Sequence, residues 1–130
     1  MYEKKRKQDF QRILSELSGW LSLVDVIDEK VYNWSKLSAK YVGKYFNTVE
    51  FIENLYSHSE QTPNEVASLY IEMLKNCKIL FDHPQDTIEK IVRTLYQAGQ
   101  KKYANNISNK YGENGFYFLK DLYKKYNGYE

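Results

Sequence analysis

The sequence predicts an all-α fold, a compact antiparallel bundle of six or seven helices in a single domain spanning 1–130, with about 1–5 and 127–130 frayed. Three observations predict it. Apolar residues recur at steps of three and four along most of the chain, the period of an amphipathic helix. Breakers are scarce, two prolines and six glycines in 130 residues, which leaves long stretches uninterrupted. Strand signal is thin: Phe116-Tyr117-Phe118 and Ile79-Leu80-Phe81 have strand composition but do not alternate over a useful length. A chain of this size buries roughly two thirds of its surface on folding, enough for one core.

The first helix is expected over 4–23, where Phe10, Ile13, Leu14 and Leu17 form a stripe that Trp20, Leu21 and Val24 continue past a bend at Gly19. A second stripe, Ile27, Val31, Trp34, Leu37 or Ser38, Tyr41, Val42, Tyr45 and Phe46, predicts a long helix over 26–46. Asn47 followed by Glu50 has the form of a capping box and predicts a helix from 48 to about His58. Thr62-Pro63-Asn64-Glu65 is the strongest local signal in the chain. It places an N-cap threonine before a proline at the first helical position, where the missing N–H costs nothing. That helix should turn Val66, Leu69, Tyr70, Met73, Leu74, Cys77 and Leu80 inward.

Asp82-His83-Pro84-Gln85 repeats the same grammar and opens a helix carrying Ile88, Ile91, Val92, Leu95 and Tyr96. Gly99 interrupts, and Tyr103, Ile107 and Tyr111 then mark helix up to Gly112. Asn114-Gly115 signals a chain reversal. Phe116, Leu119, Leu122, Tyr123 and Tyr126 define the terminal helix. Connections of two to six residues favour antiparallel neighbours.

The formal charge is +2, but it is unevenly spread. Residues 1–12 carry five Lys/Arg and two acids, 13–96 carry eight and twelve, and 97–130 carry six and three. The excess at the ends is small beside that of dedicated nucleic-acid binders. One cysteine, Cys77, excludes an intramolecular disulfide and fits a reducing, cytoplasmic setting. The basic N-terminus lacks a following signal-peptide core, and no run of about 18 apolar residues predicts a membrane span.

Groups that carry chemistry are few. His58 and His83 both fall at helix junctions, and neither has the spacing of a zinc pattern. Cys77, between Leu74 and Leu80, reads as a core residue, since a reactive thiol needs exposure and a nearby cation. No phosphate loop or nucleophile elbow occurs. No catalytic residue, cofactor or metal is expected, and the chain reads as a non-enzyme.

Two surface patterns remain. Lys36, Lys40 and Lys44, bordered by Tyr41 and Tyr45, form a ridge at i, i+4 and i+8 that suits a phosphate backbone. Such lysines are also the ordinary solvated face of a helix. The C-terminal third mixes Lys101, Lys102, Lys110, Lys120, Lys124 and Lys125 with Tyr103, Tyr111, Tyr117, Tyr123 and Tyr126. Aromatics among lysines stack bases or form the centre of a protein interface.

The segment Thr87 to Tyr111, through Ile91, Leu95, Ala98-Gly99, Tyr103-Ala104 and Ile107, resembles the last two helices of caspase-recruitment and other death-fold domains. That resemblance implies six antiparallel helices, covers about a fifth of the chain, and uses a spacing shared with helical repeats. In size and charge the chain is also similar to the small helical subunits of type III CRISPR complexes, without their motifs.

The expectation is therefore a helical protein that binds a protein partner, of inhibitor, immunity or accessory-subunit type. Richness in Lys, Asn, Tyr and Ile points to an AT-rich bacterial or phage genome. The contacts expected are Tyr103, Tyr111, Tyr117, Tyr123 and Tyr126. The alternative is a nucleic-acid-binding protein or nucleoprotein subunit using Lys36, Lys40, Lys44, Lys101, Lys102, Lys120, Lys124 and Lys125. A homodimer is kept open beside both.

Overall fold

Six helices follow one another in the computed structural model, which describes residues 21, 24, 27–41, 48–76 and 83–128. They are α1 (Glu29–Ala39), α2 (Thr48–His58), α3 (Pro63–Asn76), α4 (Gln85–Gln97), α5 (Lys101–Glu113) and α6 (Lys120–Asn127). Among the described residues there is no strand. The helix expected over 4–23 lies outside the described residues apart from Leu21, which is buried in a turn. Lys44, Cys77, Leu80 and Asp82 also lie outside them.

Helix α3 occupies the middle and packs against α1, α2, α4 and α5. Its position follows from its sequence: Val66, Ala67, Leu69, Tyr70, Met73 and Leu74 are all buried, so the apolar stripe is too broad to satisfy with one neighbour. The helix opens at Pro63 as expected. Thr62, however, works differently from the cap its sequence predicts. Its hydroxyl donates back to the carbonyl of His58 at 3.1 Å, the same oxygen its N–H reaches at 2.9 Å, and so it ties the end of α2 to the start of α3.

The helix expected over 26–46 is shorter in the structure. Asp28 is its N-cap, its carboxylate accepting from the N–H of Val31 at 2.8 Å, which leaves Ile27 outside. At the other end the N–H groups of Lys40 and Tyr41 bond back to Leu37 and Ser38, tightening the last turn. The buried face is Val31, Ser35, Ser38 and Ala39, while Leu37 is exposed. The inward face thus carries three small residues and one large apolar group.

Helix α4 buries Ile88, Ile91, Val92, Leu95 and Tyr96, at i, i+3, i+4, i+7 and i+8. Each such aliphatic side chain contributes about 1.5–3 kcal/mol on full burial. Pro84 stands at its N-cap rather than at the first helical position as Pro63 does. The helix ends in a Schellman motif: Gln100 N–H to Leu95 C=O at 2.8 Å and Gly99 N–H to Tyr96 C=O at 3.1 Å. Gly99 sits at φ +81°, the left-handed region that glycine alone enters at no steric cost.

The same motif closes α5. Phe116 N–H reaches Tyr111 C=O at 2.9 Å and Gly115 N–H reaches Gly112 C=O at 3.0 Å. This reversal throws Phe116 and Phe118 back onto the ring of Tyr111, at centroid distances of 6.5 Å and 5.2 Å, both edge-to-face. Helix α6 then returns along α5 and α4.

Candidate partner-binding groove

The return of α6 along α5 leaves a groove between them that encloses about 440 Å³. Ser108, Asn109 and Gly112 form the α5 wall, and Leu119, Lys120 and Tyr123 the α6 wall. Phe116 and Tyr117, from the connecting turn, close one end. The floor is apolar because Leu119 is buried and the hydroxyl of Ser108 donates to the carbonyl of Ala104 at 3.0 Å instead of facing the groove. Gly112 adds depth by contributing no side chain.

A polar clasp holds the two walls in register. Asn105 of α5 and Asn127 of α6 exchange a pair of side-chain hydrogen bonds, at 3.0 Å and 2.8 Å, and Asn127 also donates to the Tyr123 carbonyl at 2.8 Å. The hydroxyl of Tyr96 on α4 donates to Asn105 at 2.6 Å. Beside it the Tyr96 and Tyr126 rings stack at 4.6 Å, only 4° from parallel. Burial pushes the Tyr96 phenol above the usual tyrosine value, since the phenolate would be desolvated there.

The tyrosines grouped together by sequence go to different places. Tyr117 is 68% exposed, the largest exposure among the big apolar side chains described, and Tyr123 is half-buried in the groove wall. Tyr126 is held by its stack on Tyr96. Tyr103 lies elsewhere, in a hollow of about 400 Å³ beside Asp28, Glu29, Tyr32 and Glu65. Tyr111 corrects the expectation of a contact residue. It is fully buried, its hydroxyl 2.7 Å from that of Tyr70 and 2.8 Å from Nδ1 of His83, because the α5 stripe that carries Ala104 and Ile107 also carries Tyr111.

The lysines are arranged more simply. Lys36, Lys40, Lys101, Lys102, Lys120, Lys124 and Lys125 are all exposed. Lys120 stands on the groove wall, and Lys124, one turn on, lies on the same side of α6. Lys125 lies over the ring of Tyr126, 5.5 Å from its centroid.

Both histidines are buried rather than displayed. Nε2 of His58 lies 2.7 Å from the carbonyl of Leu21, so in the neutral ring that nitrogen carries the proton and donates, leaving Nδ1 buried with no hydrogen-bond partner among the described residues. Among the described residues no group of three or more His, Cys, Asp and Glu is placed to hold a metal ion, and no helix is long and apolar enough to cross a membrane.

Sequence reasoning did not find the groove as a site. Phe116 and Leu119 appear in the pattern only as core positions, and Asn105 and Asn127 carry no periodic signal. Compared with protein-family models, with curated proteins and with solved structures, the chain matches none.

Proposed function

We propose that the protein is a non-enzymatic binding module that takes a segment of a protein partner into the α5–α6 groove, in the manner of an inhibitor, immunity protein or accessory subunit. The observation that carries this reading is Tyr117, 68% exposed at the mouth of an apolar groove whose other walls are fixed by a hydrogen-bonded clasp. An exposed aromatic beside a preformed pocket is the composition of an interface centre, because tyrosine gives large contact area for little conformational entropy. The Asn105–Asn127 clasp supports the reading further, since a groove already shaped loses little entropy on being filled.

The test is site-specific photocrosslinking in the native host, with benzoylphenylalanine at position 117 and, as control, at Glu53, exposed on α2, which packs on α3 and α4. A protein adduct from position 117 alone, mapped to one stretch of sequence whose synthetic copy competes for the groove, supports the proposal. Equal adducts from both positions, or adducts removed by nuclease, overturn it. Nuclease-sensitive adducts would move weight to the alternative, nucleic acid held by the exposed lysines.

A further inference from the structure

We infer that the segment the groove accepts is acidic and carries one large apolar anchor, an aromatic or aliphatic side chain flanked by Asp or Glu; this rests on the groove reading proposed above. The charge distribution is what decides it. Lys120 is the one charged side chain among the described residues that line the groove, and it is cationic. Across residues 101–128, which build both walls, six lysines stand against two acids, Glu113 and Asp121. Three acids, Asp28, Glu29 and Glu65, surround instead the separate hollow beside Tyr103. The α5–α6 hairpin therefore carries a net positive charge, with six lysines against two acids over residues 101–128.

Local helix stability does not account for Lys120. It occupies the first turn of α6, where the helix dipole disfavours a cation and favours an anion such as the neighbouring Asp121, and α6 has no side-chain N-cap. Lys124, by contrast, sits in the last turn, where a cation is favoured. Lys120 lines the groove, and Lys124 follows it at i+4 on the same side of α6, about 6 Å further along the helix axis. That is close to two residues of an extended chain, so alternate carboxylates of a bound segment reach successive lysines.

The pocket selects the anchor. Its floor of Leu119 and Phe116, with Ser108 turned away, has apolar surface to bury but little to hydrogen-bond. A nucleic acid strand would instead need several stacking faces along the lysine track, and Tyr117 is the one fully presented aromatic there.

Fluorescence anisotropy with three labelled peptides of about 15 residues tests the inference, each carrying the same central Trp and differing only in Asp/Glu, Ser/Gly or Lys flanks. The acidic peptide should bind about tenfold tighter than the Ser/Gly peptide, as expected of two exposed ion pairs. The difference should shrink between about 50 mM and about 300 mM salt. The variant Lys120→Glu/Lys124→Glu should remove the acidic preference while keeping the wild-type melting temperature, since both side chains are exposed and the dipole gain at 120 offsets the loss at 124. Tyr117→Ala should weaken all three peptides alike.

Equal binding of the acidic and Ser/Gly peptides overturns the acidic partner and leaves the groove reading standing. Absence of binding by all three overturns both. Tighter, steeply salt-dependent binding of a labelled single-stranded RNA through the same two lysines overturns the inference in favour of nucleic acid. Self-association in sedimentation that Lys120→Glu/Lys124→Glu abolishes would make a second copy the occupant, and overturns it too.

Discussion

Tyr111 and Tyr70, 41 residues apart in sequence, meet hydroxyl to hydroxyl at 2.7 Å inside the core, and His83 Nδ1 closes on the same Tyr111 oxygen at 2.8 Å. Three polar groups from α3, α5 and the start of α4 thus satisfy one another where water does not reach. Tyr111→Phe keeps the ring, and with it the edge-to-face contacts to Phe116 and Phe118, but deletes the shared oxygen. We expect a loss of about 1–3 kcal/mol in urea unfolding, the cost of removing two buried hydrogen bonds. Tyr117→Phe, at the exposed groove mouth, should change stability by less than about 0.5 kcal/mol. Equal stability of Tyr111→Phe and wild type would show that the cluster is not held by this oxygen.

Two glycines close to one another in sequence should respond to alanine in opposite directions. Gly99 has φ +81° and open space around the position of a Cβ, so alanine there meets a backbone penalty and no steric clash. Gly99→Ala should destabilise by about 1 kcal/mol or more. Gly112 is helical and equally open, and Gly112→Ala should stabilise by up to about 1 kcal/mol through lost unfolded-state freedom. Thermal unfolding of both variants checks the pair; a stabilising Gly99→Ala refutes the assignment of Gly99 to the Schellman turn, and a destabilising Gly112→Ala refutes the open helical site.

The asparagine clasp predicts where the structure opens first. Helix α6 is eight residues long and fully buries only Leu122, so its docking depends on Asn127 bonding to Asn105 and to the Tyr123 carbonyl. Asn127→Ala should cost about 1 kcal/mol globally. In hydrogen exchange it should speed the amides of α6 while those of α3 keep wild-type protection, because α3 is central and α6 peripheral. Uniform acceleration across all helices would mean that α6 and the core open as one unit.

How far the sequence led depends on the kind of signal each residue carries. Ile88 through Tyr96 declare their helix and its buried face by period alone, and Gly99 and Gly115 declare both Schellman ends, since only backbone conformation is at stake there. The inward face of α1 was less legible, because Ser35, Ser38 and Ala39 are buried there and small residues leave no strong hydrophobic stripe. Tyrosine is the hardest residue to place from sequence. Tyr111, Tyr117 and Tyr126 share a composition-rich segment, yet one is core, one is exposed and one is stacked. A ring with a polar tip satisfies all three settings, and only the tertiary partner of the hydroxyl or ring face separates them.

Tyr96 gives the clasp a pH dependence whose sign can be worked out. Burial raises its phenol above the ordinary value of 10.0, so the unfolded chain releases this proton near pH 10 while the folded chain keeps it to higher pH. Above pH 10 the unfolded state binds fewer protons than the folded one, and stability falls as pH rises. The contribution of Tyr96 is therefore fully present below pH 10 and is lost as pH climbs through the raised value. At about pH 8 wild type should exceed Tyr96→Phe by about 1 kcal/mol, because the variant loses the hydrogen bond to Asn105. Between about pH 10 and about pH 11.5 that advantage should shrink, since wild type alone carries the Tyr96 penalty and every other ionisable group is common to both proteins. Urea midpoints for the two proteins across this range decide the matter. A constant gap would show that the Tyr96 proton is released equally in the folded and unfolded chains, and that the clasp is wetter than its burial implies.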